Sequence, residues 1–268
     1  MKAVTYIWEG IGSWFVLFIE RKLYVVGALL ECGLTAIRPS SWSPPVRNCL
    51  THQILVSGVR ALPFTLLIAV SFSFAVYLHC NLWLTLTGKP EWLVPALRAS
   101  LLREAGPLLA TFVVMCISVP AIMAEMVNIQ LNGELAQLQA KGQNTFGLVV
   151  MPRMIGLSIA IFCLSIFLNV TVFLCLEAWF LFFSPEILNI VNVFHSFMMG
   201  LKPADFLSVF LRAVIIGNMI GAICANEARN VRAVSTEAPT LVGRAMLRCL
   251  WAAVSVTFIV SIALRVSA

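Results

Sequence analysis

The stretch SLLREAGPLLATFVVMCISVPAIM, residues 100–123, places two adjacent charges and a Gly-Pro pair at the start of a long apolar run. After Glu104 the next charged residue is Glu125. Because about 20 apolar residues are enough to cross the hydrocarbon core of a bilayer, this run is long enough to span a membrane. The two charges then lie at the boundary of the span.

The composition extends this interpretation to the whole chain. Of the 268 residues, 60% are hydrophobic and only 11% are charged, whereas soluble domains contain about 25% charged residues. We therefore predict an all-α polytopic membrane protein with five transmembrane helices. The predicted spans are 61–87, 103–123, 154–182, 205–225 and 247–265.

The N-terminal region differs from these five segments. Residues 1–38 are apolar and aromatic but carry charges at short intervals, a pattern that favours helices lying at the membrane interface. The segment SSWSPPVRN at 40–48 predicts a break, and a second amphipathic helix is expected from about residue 46. We divide the chain into interfacial helices at 1–48 and a membrane domain at 49–268.

The distribution of positive charge predicts the orientation. The formal net charge is +6, and most of the 18 Lys and Arg residues fall on one side of the predicted spans. The positive-inside rule then places the N-terminus in the cytoplasm and the C-terminus outside. No basic run is interleaved with aromatic residues, so we expect no nucleic-acid partner.

The segment between the second and third spans, 124–151, is too polar to span. Val127, Leu131, Leu135 and Leu138 recur at helical spacing and define one face. A short amphipathic helix at about 124–141 on the cytoplasmic side is expected. Two interpretations remain open for it: a docking helix that transmits motion from a cytoplasmic partner, and a helix lying flat on the membrane.

Several motifs occur in an order that resembles a known family, the MlaE-type permeases of MCE-associated ABC transporters, which move lipids. The motifs are GVRALPFTLLIAV at 58–70, LLREAGPLLA at 101–110, AEM at 124–126, VVMPR at 149–153, LRAVIIG at 211–217 and VGRA at 242–245. The resemblance covers roughly 50–265.

The sequence departs from the family pattern at four places, one of which is the loop at 226–241, which is longer than in the family and lacks its glycines. Cys116 to Val119 stand where the family has Gly-Arg-Ala-Gly, and His79 stands where it has a glutamine. Gly133, followed by Glu134, stands where the family has a glutamate in its docking helix. These departures motivate an alternative function, a transport-incompetent or heterodimeric permease-like scaffold subunit.

The resemblance implies the partners and the site. Two permease subunits would form the membrane core in a bacterial inner membrane, each docked on a cytoplasmic ABC ATPase that holds ATP and Mg²⁺, with an MCE-domain protein on the outer face. The cargo would be a lipid. A phospholipid is the preferred candidate, and a sterol or another apolar molecule is the alternative. The implied lipid-cavity residues are Arg103, Glu104, Arg212 and His79. The implied ATPase-coupling residues are Glu125, Val127, Leu131, Glu134, Leu135 and Leu138.

The charged residues also have non-transport interpretations. Arg103 and Glu104 could be an interfacial anchor pair, and Arg212 could anchor its span, because long cationic side chains reach toward the interface. A membrane-embedded enzyme of lipid metabolism is a further alternative. The sequence, however, has no G-x-x-x-x-G-K-[ST] loop, no H-E-x-x-H zinc motif and no G-x-S-x-G elbow. We therefore expect no enzyme activity, metal or cofactor in this chain.

Overall fold

A computed structural model describes six stretches of the chain. The described residues are 23–38, 42–88, 93–142, 144–186, 193–229 and 238–266. Within these stretches the protein is helical and contains no strand. The all-α prediction is therefore confirmed for the part of the chain that is described.

Within the described residues, ten α-helices have both of their ends defined. They are α1 (Leu23–Ile37), α2 (Pro44–Ser57), α3 (Leu62–Thr87), α4 (Leu93–Leu97), α5 (Gly106–Leu131), α6 (Glu134–Ala140), α7 (Met151–Phe183), α8 (Val193–Met199), α9 (Pro203–Arg229) and α10 (Ala238–Val266). A 3₁₀ turn at Val59–Ala61 joins α2 to α3. Two π-helical segments, Arg98–Ala105 and Phe146–Val150, lead into α5 and α7.

The five predicted spans are confirmed as helices. Helices α3, α5, α7, α9 and α10 are long and apolar enough to cross a membrane. Proline stands in the first turn of α3, α5 and α7, directly after the 3₁₀ or π-helical segment that precedes each helix, and it cannot donate a hydrogen bond to that segment. The structure extends α5 and α7 beyond the predicted ends, since the apolar pattern alone does not show where helical backbone stops.

Helix α7 is the centre of the bundle and packs on α2, α3, α5 and α9. Gly217 and Gly221, one turn apart on α9, allow the closest of these approaches. A Cβ atom at Gly217 would lie 2.5 Å from the Ser158 backbone, and one at Gly221 would lie 2.6 Å from Met154 Cγ. This is the small-residue spacing by which membrane helices bring their backbones together. In contrast, α3 and α10 are peripheral and expose large apolar side chains.

Inter-helix contacts define the two ends of the bundle. At one end, called here the Arg153 end, α5 and α9 finish while α7 begins. At the other, the Arg103 end, α5 and α9 begin. The pairing of Gly217 with Ser158 and of Gly221 with Met154 shows that α7 and α9 run antiparallel.

The N-terminal region agrees in part with the prediction. Helix α1 is apolar but shorter than the helices that can cross a membrane, and its Ala28 and Cys32 pack against Met151 and Met154 of α7. Residues 1–22, which belong to the predicted interfacial region, lie outside the described residues. The interfacial position of α1 therefore stays a prediction.

The prediction of one helix over 124–141 is wrong. Residues up to Leu131 continue α5, and a separate short helix α6 follows. Gly133 lies between them at φ +70°, a left-handed conformation that glycine adopts at little cost. The backbone conformation at Gly133 thus divides the segment, although the apolar spacing runs through it.

Candidate functional site: a charged cluster and groove at the Arg103 end

Arg103 and Glu104 lie in the π-helical segment that precedes α5. Such wide turns often occur at functional sites because they change the direction of side chains. Arg103 Nε donates to Asp205 Oδ1 on α9 at 2.6 Å. Asp205 is buried, and its Oδ2 also accepts from the Lys202 backbone N–H at 3.0 Å. Arg103 therefore holds α9 against the start of α5.

Arg212 of α9 is buried and spans the gap to α10. Its Nη2 donates to Ser261 Oγ at 3.0 Å, whereas its Nε and Nη1 have no hydrogen-bond partner among the described residues. Glu104 attracts the guanidinium, and Arg103 repels it. Because a buried cation is costly unless its donors are satisfied, the two unpaired donors are available for an acceptor from outside the chain.

A groove of about 320 Å³ opens beside this cluster, between α5 and α10. Ser261, which accepts from Arg212, lies in its wall together with Glu104, so Arg212 lies next to the groove without lining it. We call it the α5–α10 groove, and its lining residues are Glu104, Leu108, Val254, Thr257, Phe258, Ser261 and Ile262. A mostly apolar groove with charge behind one wall suits an amphipathic ligand.

His79 is not part of this cluster. Its Nδ1 lies 2.8 Å from the Ala75 carbonyl oxygen on its own helix, and its side chain is exposed. It lines a different groove of about 450 Å³ between α3 and the α4 region. The structure thus brings together three of the four predicted lipid-cavity residues and separates His79, because α3 is peripheral.

Two ion pairs join helices at the Arg153 end. Arg153 Nη2 of α7 lies 2.7 Å from Glu125 Oε1 of α5; the Arg153 side chain is buried, and that of Glu125 is 46% exposed. Arg248 of α10 pairs with the buried Glu227 of α9. Neighbouring spans are therefore connected electrostatically where each loop turns.

The predicted coupling residues divide between the core and the surface. Val127 packs against the core. Leu131 and Glu134 are exposed on either side of Gly133, and Leu138 is half-buried. Leu135 lines a cleft of about 440 Å³ that also contains Tyr24 and Arg229. The exposed part of the predicted face is therefore at the α5–α6 turn.

Several residues of the two ends were not among the predicted site residues. Asp205 and Glu227 are acidic residues within spans, and an ionisable residue inside a span is by itself a signal of function or pairing. Ser261 gave no such signal, since serine is common in membrane helices. Its role depends on the side chain that it meets from another helix.

The cysteines form no catalytic or metal site in the described part of the chain. All eight are free thiols, and no group of three or more His, Cys, Asp or Glu side chains that could hold a metal ion is found there. The chemistry of the charged cluster is therefore that of ion pairing and hydrogen bonding.

Five apolar spanning helices and a charged cluster beside a groove define the class, a polytopic α-helical membrane protein. A comparison with protein-family models matches residues 50–263 to the family described as Permease MlaE, and the chain belongs to this family. A search of the curated proteins finds no match. The chain is thus a multi-pass permease subunit of an ABC transporter and not an enzyme, with ATP hydrolysis in a partner subunit.

Proposed function

We propose that this permease moves lipids, with phospholipid as the cargo, between a bacterial inner membrane and an MCE-domain protein on the outer face. The observation that carries the proposal is the buried Arg212, whose two unpaired donors lie next to a mostly apolar groove that Glu104, Thr257 and Ser261 also line. A guanidinium is suited to phosphate oxygens because it donates from a planar fork. The apolar side chains of the groove would contact the acyl chains.

The contacts favour Arg212 over Arg103 as the phosphate ligand. The Nε of Arg103 already donates to Asp205, and this pair holds α9 in place. The Nε and Nη1 donors of Arg212 are unpaired within the described residues. Because Arg212 lies behind Ser261, we propose that α10 moves away from α9 to admit the headgroup.

The distribution of charge supports a cytoplasmic Arg153 end. Basic residues concentrate there, and cytoplasmic loops of membrane proteins carry such an excess. They are Arg47, Lys141, Arg153, Arg229, Arg244 and Arg248. We therefore propose that the N-terminus is cytoplasmic and that the Arg103 end faces the outer side.

We propose that the ATPase docks at the α5–α6 turn. Leu131 and Glu134 are exposed there, and the Glu125–Arg153 ion pair joins this region to α7. A displacement of the turn would be transmitted to α7 through that ion pair. Because α9 packs closely on α7, the displacement would then be transmitted to α9. ATP binding would then shift the permease between two packed states.

We propose that a second copy covers the α5–α10 groove. Helix α10 exposes a row of large apolar side chains beside it, at Leu247, Leu250, Trp251, Val254, Phe258, Ile259 and Ile262. A twofold interface through this face would close both grooves into one cavity. The polar residues behind the groove would then be shielded from hydrocarbon.

Purification of the intact complex, followed by mass spectrometry of its proteins and lipids, tests this function. We expect two copies of the chain, two ABC ATPases, an MCE-domain protein and bound phospholipid. A complex with one copy beside a related permease chain and no bound lipid would instead support the scaffold function. Turnover of a lipid by the isolated chain without ATP would contradict the proposal.

A further inference from the structure

A further cavity lies between α1, α7 and α9. It has a volume of about 610 Å³ and is called here the α1 cavity. Its walls include Leu29 and Gly33 of α1, Ile159 and Phe162 of α7, and Phe210 of α9. This volume is within the range of ligand-binding pockets, about 300–1,000 Å³.

The few polar groups around the α1 cavity are satisfied within the chain. Asn218 Nδ2 donates to the Val214 carbonyl at 2.8 Å, and its Oδ1 accepts from Cys32 Sγ at 3.5 Å. Ser158 and Trp42 donate to backbone carbonyls. Burial, with a smaller effect of Glu31, raises the pKa of Cys32 to about 11, so that the thiol stays neutral. The cavity therefore suits an apolar ligand and not a headgroup.

The depth of the cavity selects the ligand. The part of α7 that lines the cavity runs from Ile155 to Phe162. At 1.5 Å per residue, it begins roughly 6 Å from Met151 and ends roughly 17 Å from it. With the membrane boundary near the start of α7, that position would lie in the hydrocarbon of the leaflet at the Arg153 end, where the available molecules are acyl chains.

The length of the cavity argues against a spanning helix as the occupant. The wall extends over roughly 11–12 Å of α7 and of α9, at 1.5 Å per residue. A partner's transmembrane helix needs a surface about 30 Å long. An acyl chain from one leaflet fits the shorter cavity.

We propose that the α1 cavity is a binding site for one acyl chain of a membrane phospholipid, separate from the transport groove. The bound chain would fill the space between α1 and the α7–α9 pair and hold α1 against the spans. The inference needs only a membrane-embedded chain, and it does not depend on transport.

Two glycines of α1 give a matched test. A Cβ atom at Gly33, which lines the cavity, or at Gly27, which does not, would meet nothing within 4 Å. Gly33→Leu therefore adds an apolar side chain at the wall of the cavity with open space at its Cβ atom, and Gly27→Leu makes the same change elsewhere on α1.

The full chain is placed in phosphatidylethanolamine–phosphatidylglycerol vesicles with a trace of phospholipid that carries a diazirine at the end of one acyl chain. After illumination, mass spectrometry maps the labelled peptides. We expect labelling of 155–162 and 210–218 in the natural protein and in Gly27→Leu. In Gly33→Leu we expect the labelling of these two peptides to fall. It should reach the level obtained with a phospholipid that carries the diazirine in its headgroup.

Equal labelling of the natural protein and Gly33→Leu would overturn the proposal, as would equal loss in Gly27→Leu or a cross-link from these peptides to a partner protein. If Gly33→Leu does not fold, Ile159→Phe fills the cavity from α7 and is judged by the same readout. Because labelling requires neither ATP nor a partner, its failure is distinct from a failure of lipid transport.

Discussion

The two ends of the bundle contain the same kinds of residue in different arrangements. At the Arg153 end, the buried arginine bonds to a carboxylate, Glu125, and to a backbone carbonyl, and of its donors Nε is without a partner among the described residues. At the Arg103 end, the buried Arg212 bonds to a neutral hydroxyl and keeps two donors unpaired. An arginine paired with a carboxylate connects helices, whereas one with free donors beside a groove can bind a ligand. In the function proposed here, this difference separates a coupling end from a cargo end.

The largest effect is expected from removing the charge of Arg212. Arg212→Gln should weaken phospholipid binding on the order of tenfold or more, because hydrogen bonds to charged groups are worth about 1.5–3 kcal/mol. Native mass spectrometry of the purified chain with added phospholipid measures this. Arg103→Gln is the comparison and should have the smaller effect. The reverse order would assign cargo binding to Arg103 and contradict the account.

The coupling end is tested by a charge on its exposed apolar surface. Leu131→Asp should reduce the amount of co-purified ATPase on the order of tenfold, as expected for a central interface residue. Phospholipid binding should be unchanged. Gln137→Asp, an exposed position within α6, is the control for added charge. If the amount of ATPase that co-purifies with Leu131→Asp is unchanged, the ATPase docks at a different surface.

The buried acids should contribute to stability at both ends. Asp205→Asn and Glu227→Gln each remove the carboxylate partner of an arginine. We expect each to lower the free energy of unfolding by about 1–2 kcal/mol, less than for a fully buried pair, because the partly exposed arginine can turn toward the interface. Denaturant titration in detergent measures this. No loss in either variant would mean that the pair does not hold its helices together.

The smallest effect concerns the turn at the coupling end. Gly133→Ala should cost about 1 kcal/mol, because its left-handed φ of +70° disfavours a Cβ atom even where space is open. Gly243→Ala is the control: it lies in α10, also has open space and has no positive φ. A thermal unfolding series compares them. Equal effects of the two variants would show that the turn adjusts without strain.

Much of the fold follows from composition and spacing. The five spans were predicted because hydrocarbon requires long apolar helices whose backbone groups bond internally. The break at Gly133 was missed because Val127, Leu131, Leu135 and Leu138 fit one helical face whether or not the helix continues. The spacing of apolar residues carries no information about the backbone conformation of a single glycine between them.

The site was predicted less completely than the fold. The adjacent charges of Arg103 and Glu104 at the start of an apolar run pointed to the end of the bundle where Arg212 and Asp205 also lie. The sequence did not show that Asp205 would engage Arg103, or that Arg212 would meet Ser261, since these contacts join residues far apart in the chain. His79 was grouped with them by family resemblance, and tertiary packing separates it.

The central claim, that the chain is a lipid permease driven by a partner ATPase, is tested most directly by transfer in a reconstituted system. The complete complex in vesicles would be given a fluorescent phospholipid and ATP, and the label reaching the MCE-domain protein, or leaving it, would be measured. We predict movement that requires ATP and is lost in Arg212→Gln while ATP hydrolysis continues. Movement that is the same without ATP, or unchanged in Arg212→Gln, would contradict the account.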